Sequence, residues 1–139
     1  MKYVLDSSVA IKVVLPEQDS DKAVALLIDF QNKIHELLSP DIFPVEVAHA
    51  LTRAERRKLI AQGDSIQKLA DVLAMKPAFH AHLPLLPRAV EISSAHGIGV
   101  YDAIYAALAE QEQCEVVTAD EKMMQKLPGY PIVPLSALP

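Results

Sequence analysis

Cysteine is almost absent from this chain of 139 residues, with Cys114 standing alone. Neither an internal disulfide nor a cysteine-rich zinc site can be assembled within one chain, which fits a reducing cytoplasm. Glycine is nearly as scarce: only Gly63, Gly97, Gly99 and Gly129 occur. There is no Walker loop, and Gly97-Ile98-Gly99 is a bare GxG that follows a helical stretch, so nucleotide-cradling glycine loops are excluded. No run of about 18 apolar residues is present, and no membrane span is expected. The opening Met1-Lys2-Tyr3-Val4-Leu5-Asp6 reaches an acid after three apolar residues, which argues against a signal peptide. Positive charge is in deficit, 13 Lys and Arg against 18 Asp and Glu for a net charge of -5. That balance speaks against holding nucleic acid by bulk charge, though not against an enzyme that recruits cations.

What is present suits one folded unit. With 51% hydrophobic and 22% charged residues, the chain is too apolar for disorder and long enough to bury a core, so a single domain over 1–139 is expected. No repeat or low-complexity tract interrupts it. Lys2 to Leu5 reads as a short strand ending in Asp6, and Val9 to Leu15 as a helix halted by Pro16, with Ser7 or Ser8 as N-cap. Ser20 caps a second helix through Phe30, His35 to Leu38 offers a strand, and Ser39-Pro40 a turn. A helix from Pro44 to Leu59 and another over 64–75 follow. His82 to Leu86 reads as a weak strand, with Pro87 opening a helix that His96-Gly97 ends. Tyr101 to Ala109, YDAIYAALA, is apolar on every side but Asp102, the pattern of a helix packed centrally. Glu115 to Thr118 is a strand, a short helix runs through Leu127, and Tyr130 to Pro134 holds a last strand. Short apolar strands alternating with helices predict a three-layer α/β/α sandwich around a central, mainly parallel sheet of four to five strands.

Four acids stand where such a fold gathers its chemistry. Asp6 and Asp120 each follow a strand, and a parallel sheet binds ligands beyond the carboxyl ends of its strands. Asp102 and Glu46 lie in the first turns of helices, where the dipole and free amides stabilise a carboxylate. Gathered within a few Å, such groups repel unless a cation sits among them. All-oxygen donors favour Mg²⁺ or Mn²⁺, ions suited to phosphoryl transfer and hence to hydrolysis of nucleic acid. Each acid also has an ordinary reading as a turn or cap residue.

Asp6-Ser7-Ser8, Pro44-Val45-Glu46-Val47, the YDAIYAALA run and Thr118-Ala119-Asp120-Glu121-Lys122 occur in the order and spacing of a PIN domain. Over essentially its whole length the chain resembles the small VapC-type PIN proteins, the ribonuclease toxins of prokaryotic toxin-antitoxin pairs. That resemblance implies a Mg²⁺- or Mn²⁺-dependent endoribonuclease, cytoplasmic and homodimeric, acting on RNA and inhibited by a cognate antitoxin. It assigns Asp6, Glu46, Asp102 and Asp120 to catalysis and metal binding, with Ser8 and Thr118 supporting them. His49 departs from the pattern, which has a small polar residue such as Asn there.

Other features weigh less. Arg53 and Arg57 follow Glu46 by 7 and 11 residues, within about 20° of its direction on a helix. With Arg56 and Lys58 alongside, they form a stripe that could guide RNA phosphates or simply be a solvated or dimer face. His80-Ala81-His82 and Glu46-x-x-His49 are incomplete as metal motifs and read as surface or packing residues. Cys114 reads as an inert residue at a helix end. Competing functions are a PIN module that binds RNA or protein without cutting, and a phosphoryl-accepting domain, which the missing DxD pattern disfavours.

Overall fold

Tyr3, Val4 and Leu5 are all buried, and this is what makes the first strand the centre of the molecule. In a strand successive side chains point to opposite faces, so an unbroken apolar run requires cover on both. The computed structural model, which describes all 139 residues, provides it. Strand β1 (Lys2–Leu5) lies in a five-stranded sheet with β2 (Glu36–Pro40), β3 (Ala78–His80), β4 (Glu115–Thr118) and β5 (Ile132–Pro134). The order is β3-β2-β1-β4-β5 and every pairing is parallel. Tyr3, Leu5, Leu37 and Val117 face a core shared with helices α1 (Ser7–Val14), α2 (Ser20–Gln31), α3 (Phe43–Arg56) and α4 (Asp64–Leu73). Val4, Leu38 and Val116 face a second core built by α5 (Leu86–His96), α6 (Val100–Glu112) and α7 (Glu121–Lys126). The three-layer α/β/α architecture expected from the sequence is therefore present.

The topology fixes the chemistry's address. From β1 the chain moves outward to β2 and β3, then returns to the other side of β1 as β4. Strand order reverses between β1 and β4, and a crevice opens at such a switch point beyond the strands' carboxyl ends. The direction of α6 follows from one ion pair: Lys2 at the start of β1 meets Glu112 at the end of α6 at 3.5 Å. The helix thus ends at the sheet's amino edge and begins, with Asp102, at the carboxyl edge. Seven successive residues of α6, Ala103 to Ala109, are buried, as its apolar circumference requires.

Several boundaries depart from expectation. Helix α1 starts at Ser7 rather than Val9, with Asp6 in the N-cap position; Ser8 does not cap it, because its hydroxyl bonds to Asp6 and accepts from the Ala119 amide. Asp19, not Ser20, occupies the N-cap of α2, in the left-handed region. Ser39-Pro40 is no turn: both residues complete β2, with the buried Ser39 Oγ donating to the Leu5 carbonyl at 2.8 Å. Pro40 ends the strand, and the Asp41 amide takes the next ladder bond, to the His80 carbonyl. Helix α3 stops at Arg56, before the expected Leu59, as Lys58 turns left-handed. The weak strand expected at His82 to Leu86 is a 3₁₀ turn running into α5. The strand lies instead at Ala78–His80, on the sheet's edge.

Candidate active site

Asp6 is the innermost of the four acids, only 4% exposed. Its amide still belongs to the sheet, donating to the Val117 carbonyl at 3.2 Å, so the side chain emerges where β1 and β4 part. A buried carboxylate requires hydrogen-bond partners, and it has two. The Ser8 hydroxyl donates to Asp6 Oδ2, and Thr118 Oγ1 donates to the same oxygen at 2.8 Å. Each hydroxyl is itself fixed by a backbone amide: Ala119 donates to Ser8 Oγ and Asp120 to Thr118 Oγ1, both at 3.0 Å. The start of α1 and the end of β4 are thereby bound through one carboxylate oxygen. Burial nonetheless raises the Asp6 pKa above the ordinary carboxylate range, the two hydroxyls pulling it down and the Asp120 charge pushing it up.

Asp120 follows β4 and caps α7, its Oδ1 accepting from the Lys122 amide at 2.9 Å. The capping role read from the sequence is therefore real, and it leaves the second carboxylate oxygen uncommitted. Asp102 lies half-buried in the first turn of α6. Its pKa is pushed up to about 7, first by desolvation and then by the charges of Asp6, Asp120 and Glu46, against which Lys122 acts weakly. Glu46, in the first turn of α3, is raised first by burial and also by the Asp6 charge, while the neighbouring Tyr105 hydroxyl pulls it down. Its Oε1 is buried without a hydrogen-bond partner.

All four acids thus share one electrostatic neighbourhood at the carboxyl edge of the sheet, although 114 residues separate the first from the last. They do not close into a ready clasp, since no three His, Cys, Asp or Glu side chains stand close enough to grip an ion. A hard divalent cation fits this set on two counts: the donors are all oxygen, and desolvation together with the neighbouring carboxylates pushes Asp102 up to about 7, a repulsion that a cation would offset. Asp6, Asp102, Asp120 and Glu46 are the groups that could hold it.

Arg53 and Arg57 sit further off. Both are exposed and without ion pairs; at 1.5 Å per residue Arg53 lies about 10 Å along α3 from Glu46, and Arg57 stands just past the helix end. Two residues the sequence did not single out belong to the cluster instead. Lys122 brings a positive charge to bear on Asp102, and its position in the first turn after Asp120 was the available signal. Tyr105 presents a buried hydroxyl to Glu46; its spacing of three from Asp102 places both on one helix face. A recess of about 220 Å³ beside Asp120 is lined by Lys12, Asp19 and Thr118, whereas a larger cavity around Lys2, His35 and Lys76 lies at the opposite edge.

Comparison with known proteins gives a consistent result. The PIN domain model matches residues 3–129. Ribonuclease VapC3 of Pyrobaculum aerophilum is 31% identical over 131 residues, spanning 93% of this chain and 97% of its own. Ribonuclease VapC12 of Mycobacterium tuberculosis is 29% identical over 122 residues, 88% of this chain and 89% of its own. The fold is similar to the crystal structure of PAE2754 from Pyrobaculum aerophilum, with a TM-score of 0.72 and 21% identity over 98% of this chain and 85% of that one. It is also similar to VapBC2 from Rickettsia felis bound to a DNA fragment from its promoter, at TM-score 0.68 and 15% identity over 96% and 98%.

Proposed function

This chain belongs to the PIN domain family, and we propose that it is a metal-dependent endoribonuclease, the toxin of a toxin-antitoxin pair. The observation that carries the chemistry is the meeting of Asp6, Glu46, Asp102 and Asp120 at the switch point of the sheet, where the first three are each raised by the charge of another acid of the set. The ribonuclease relatives, aligned over nearly their full length, support RNA as substrate. Neighbours solved as toxin-antitoxin complexes support an antitoxin partner.

In the proposed mechanism, Mg²⁺ or Mn²⁺, when bound, supplies the Lewis acidity and charge neutralisation that hydrolysis of a phosphodiester needs. The chain's own residues prepare the place. Ser8 and Thr118 fix Asp6 in one orientation, so no reorganisation is needed when charge develops. Asp102 would have to give up its proton to hold such an ion, since desolvation first and the neighbouring carboxylates second weaken its acidity. Asp120 remains tethered to α7 through one oxygen and offers the other. Lys122 stands where it can meet a substrate phosphate.

The chain acts as one nuclease domain over 1–139, homodimeric and cytoplasmic; no helix is long and apolar enough to cross a membrane. The antitoxin silences it by placing a basic side chain, best an Arg, among the carboxylates, where bidentate bonding displaces the cation. The test is cleavage of a mixed pool of structured RNAs with Mn²⁺, with Mg²⁺ and with chelator. Cutting is expected with metal only, and is lost in Asp6→Asn and Asp102→Asn. A folded protein that neither cuts nor binds Mn²⁺ would instead be a non-catalytic PIN module.

A further inference from the structure

Two buried polar atoms near the acids lack a partner, and they are chemically complementary. The Tyr105 hydroxyl lies in a fully buried side chain without a bond of proper geometry. Glu46 Oε1 is in the same condition. A phenol donates and a carboxylate accepts, so each is the other's missing partner. Ser7, at the start of α1, is another polar neighbour of the phenol. Burial and the charges of Asp6 and Glu46 hold the phenol protonated far above neutrality, and it is therefore always a donor. A tyrosine serving only the apolar core around α6 would need no hydroxyl, and burying one unpaired is unfavourable.

On the reading of this site as a metal-dependent nuclease centre, we infer that Tyr105 is the positioning residue for Glu46: its hydroxyl donates to Oε1 and leaves the other carboxylate oxygen to the cation. The reach is short, because Tyr105 follows Asp102 by one turn of α6 and so faces the cluster that Asp102 enters. Hydrogen-bonded partners of this kind orient a ligating carboxylate, and losing one weakens metal affinity by about 10- to 100-fold.

The experiment is calorimetric titration of Mn²⁺ into the wild type, Tyr105→Phe, Glu46→Gln and the double variant, beside thermal unfolding in chelator. Tyr105→Phe is expected to fold with an unchanged or higher Tm, and to bind Mn²⁺ about 10-fold or more weakly. Because Tyr105 acts through Glu46, the double variant should bind no more weakly than Glu46→Gln alone. Wild-type affinity in Tyr105→Phe would overturn the inference, as would an equal further loss on the Glu46→Gln background. Unfolding of Tyr105→Phe would also overturn it, by showing that the hydroxyl supports the core. Absence of Mn²⁺ binding by the wild type would remove the nuclease reading itself, a separate and distinguishable failure.

Discussion

A carboxyl pushed up to about 7 is half-charged in neutral solution, so Asp102 links stability to pH. Its folded pKa lies above the ordinary 3.8; between those values the folded chain binds more protons than the unfolded one, and stability falls as pH rises from about 4 through about 7. Metal-free protein should therefore melt higher at pH 5.5 than at pH 7.5, and Asp102→Asn should flatten the difference. At pH 8 in chelator the same substitution should raise Tm by roughly 3 to 5 °C, the shift of about 1 kcal/mol in a chain of this size, while abolishing RNA cleavage. A lower Tm would show that the charge is not what destabilises the site. Thr118→Val tests the opposite kind of residue. It removes a donor from buried Asp6 and an acceptor from the Asp120 amide, and should cost about 1 to 3 kcal/mol in urea unfolding. The acids were legible in the sequence because strand ends and first helical turns are places a parallel sheet defines. Tyr105 was not, since a tyrosine in an apolar helix looks like any core residue until its hydroxyl is seen without a partner.

Elements were read best where their apolar pattern was longest. YDAIYAALA reads as a centrally packed helix, and α6 is one, with Ala103 to Ala109 buried. β3 escaped because it is an edge strand bonded on one side, with Ala78 and Phe79 exposed, so no alternation marks it. The Leu83-Pro84-Leu85 stretch is more apolar but is drawn into a 3₁₀ turn, Leu85 entering the core from there. Ser39-Pro40 misled because local turn chemistry was overridden by the pairing of β2 with β3 and by the Ser39 bond to Leu5. Gly97 gives an element-scale prediction. It closes α5 with φ of 66°, and no atom lies within 4 Å of where a Cβ would be. Gly97→Ala should therefore cost about 1 to 2 kcal/mol from left-handed strain alone, visible in the unfolding midpoint, with RNA cleavage intact. The exposed end of α3 gives another. If Arg53 and Arg57 guide RNA, replacing both with Ala lowers the salt slope of binding by about 0.7 for each phosphate no longer neutralised; an unchanged slope leaves that face to solvent or to a dimer contact.

For the molecule as a whole, acidity and the missing positive charge are one fact. A net charge of -5 with carboxylates converging at one edge makes the fold respond to cations as a ligand-linked equilibrium. Excess Mn²⁺ at roughly 100 times its Kd should stabilise the protein by about 2.7 kcal/mol. With the Mn²⁺ concentration held fixed, the gain should be larger at pH 8 than at pH 5.5, where protons compete for Asp102 and raise the apparent Kd. Equal gains at both would mean that the ion binds elsewhere.

The bridge from Asp6 through Ser8 and Thr118 to Asp120 also has a temporal side. Synthesis delivers Asp6 first, yet its hydrogen-bonding partner on β4, and the strand that completes its flank, come more than a hundred residues later. A growing polypeptide halted before Glu115 holds three of the four acids but lacks β4, Thr118 and Asp120, so Asp6 gains its flank and its second hydroxyl only after those residues have been made.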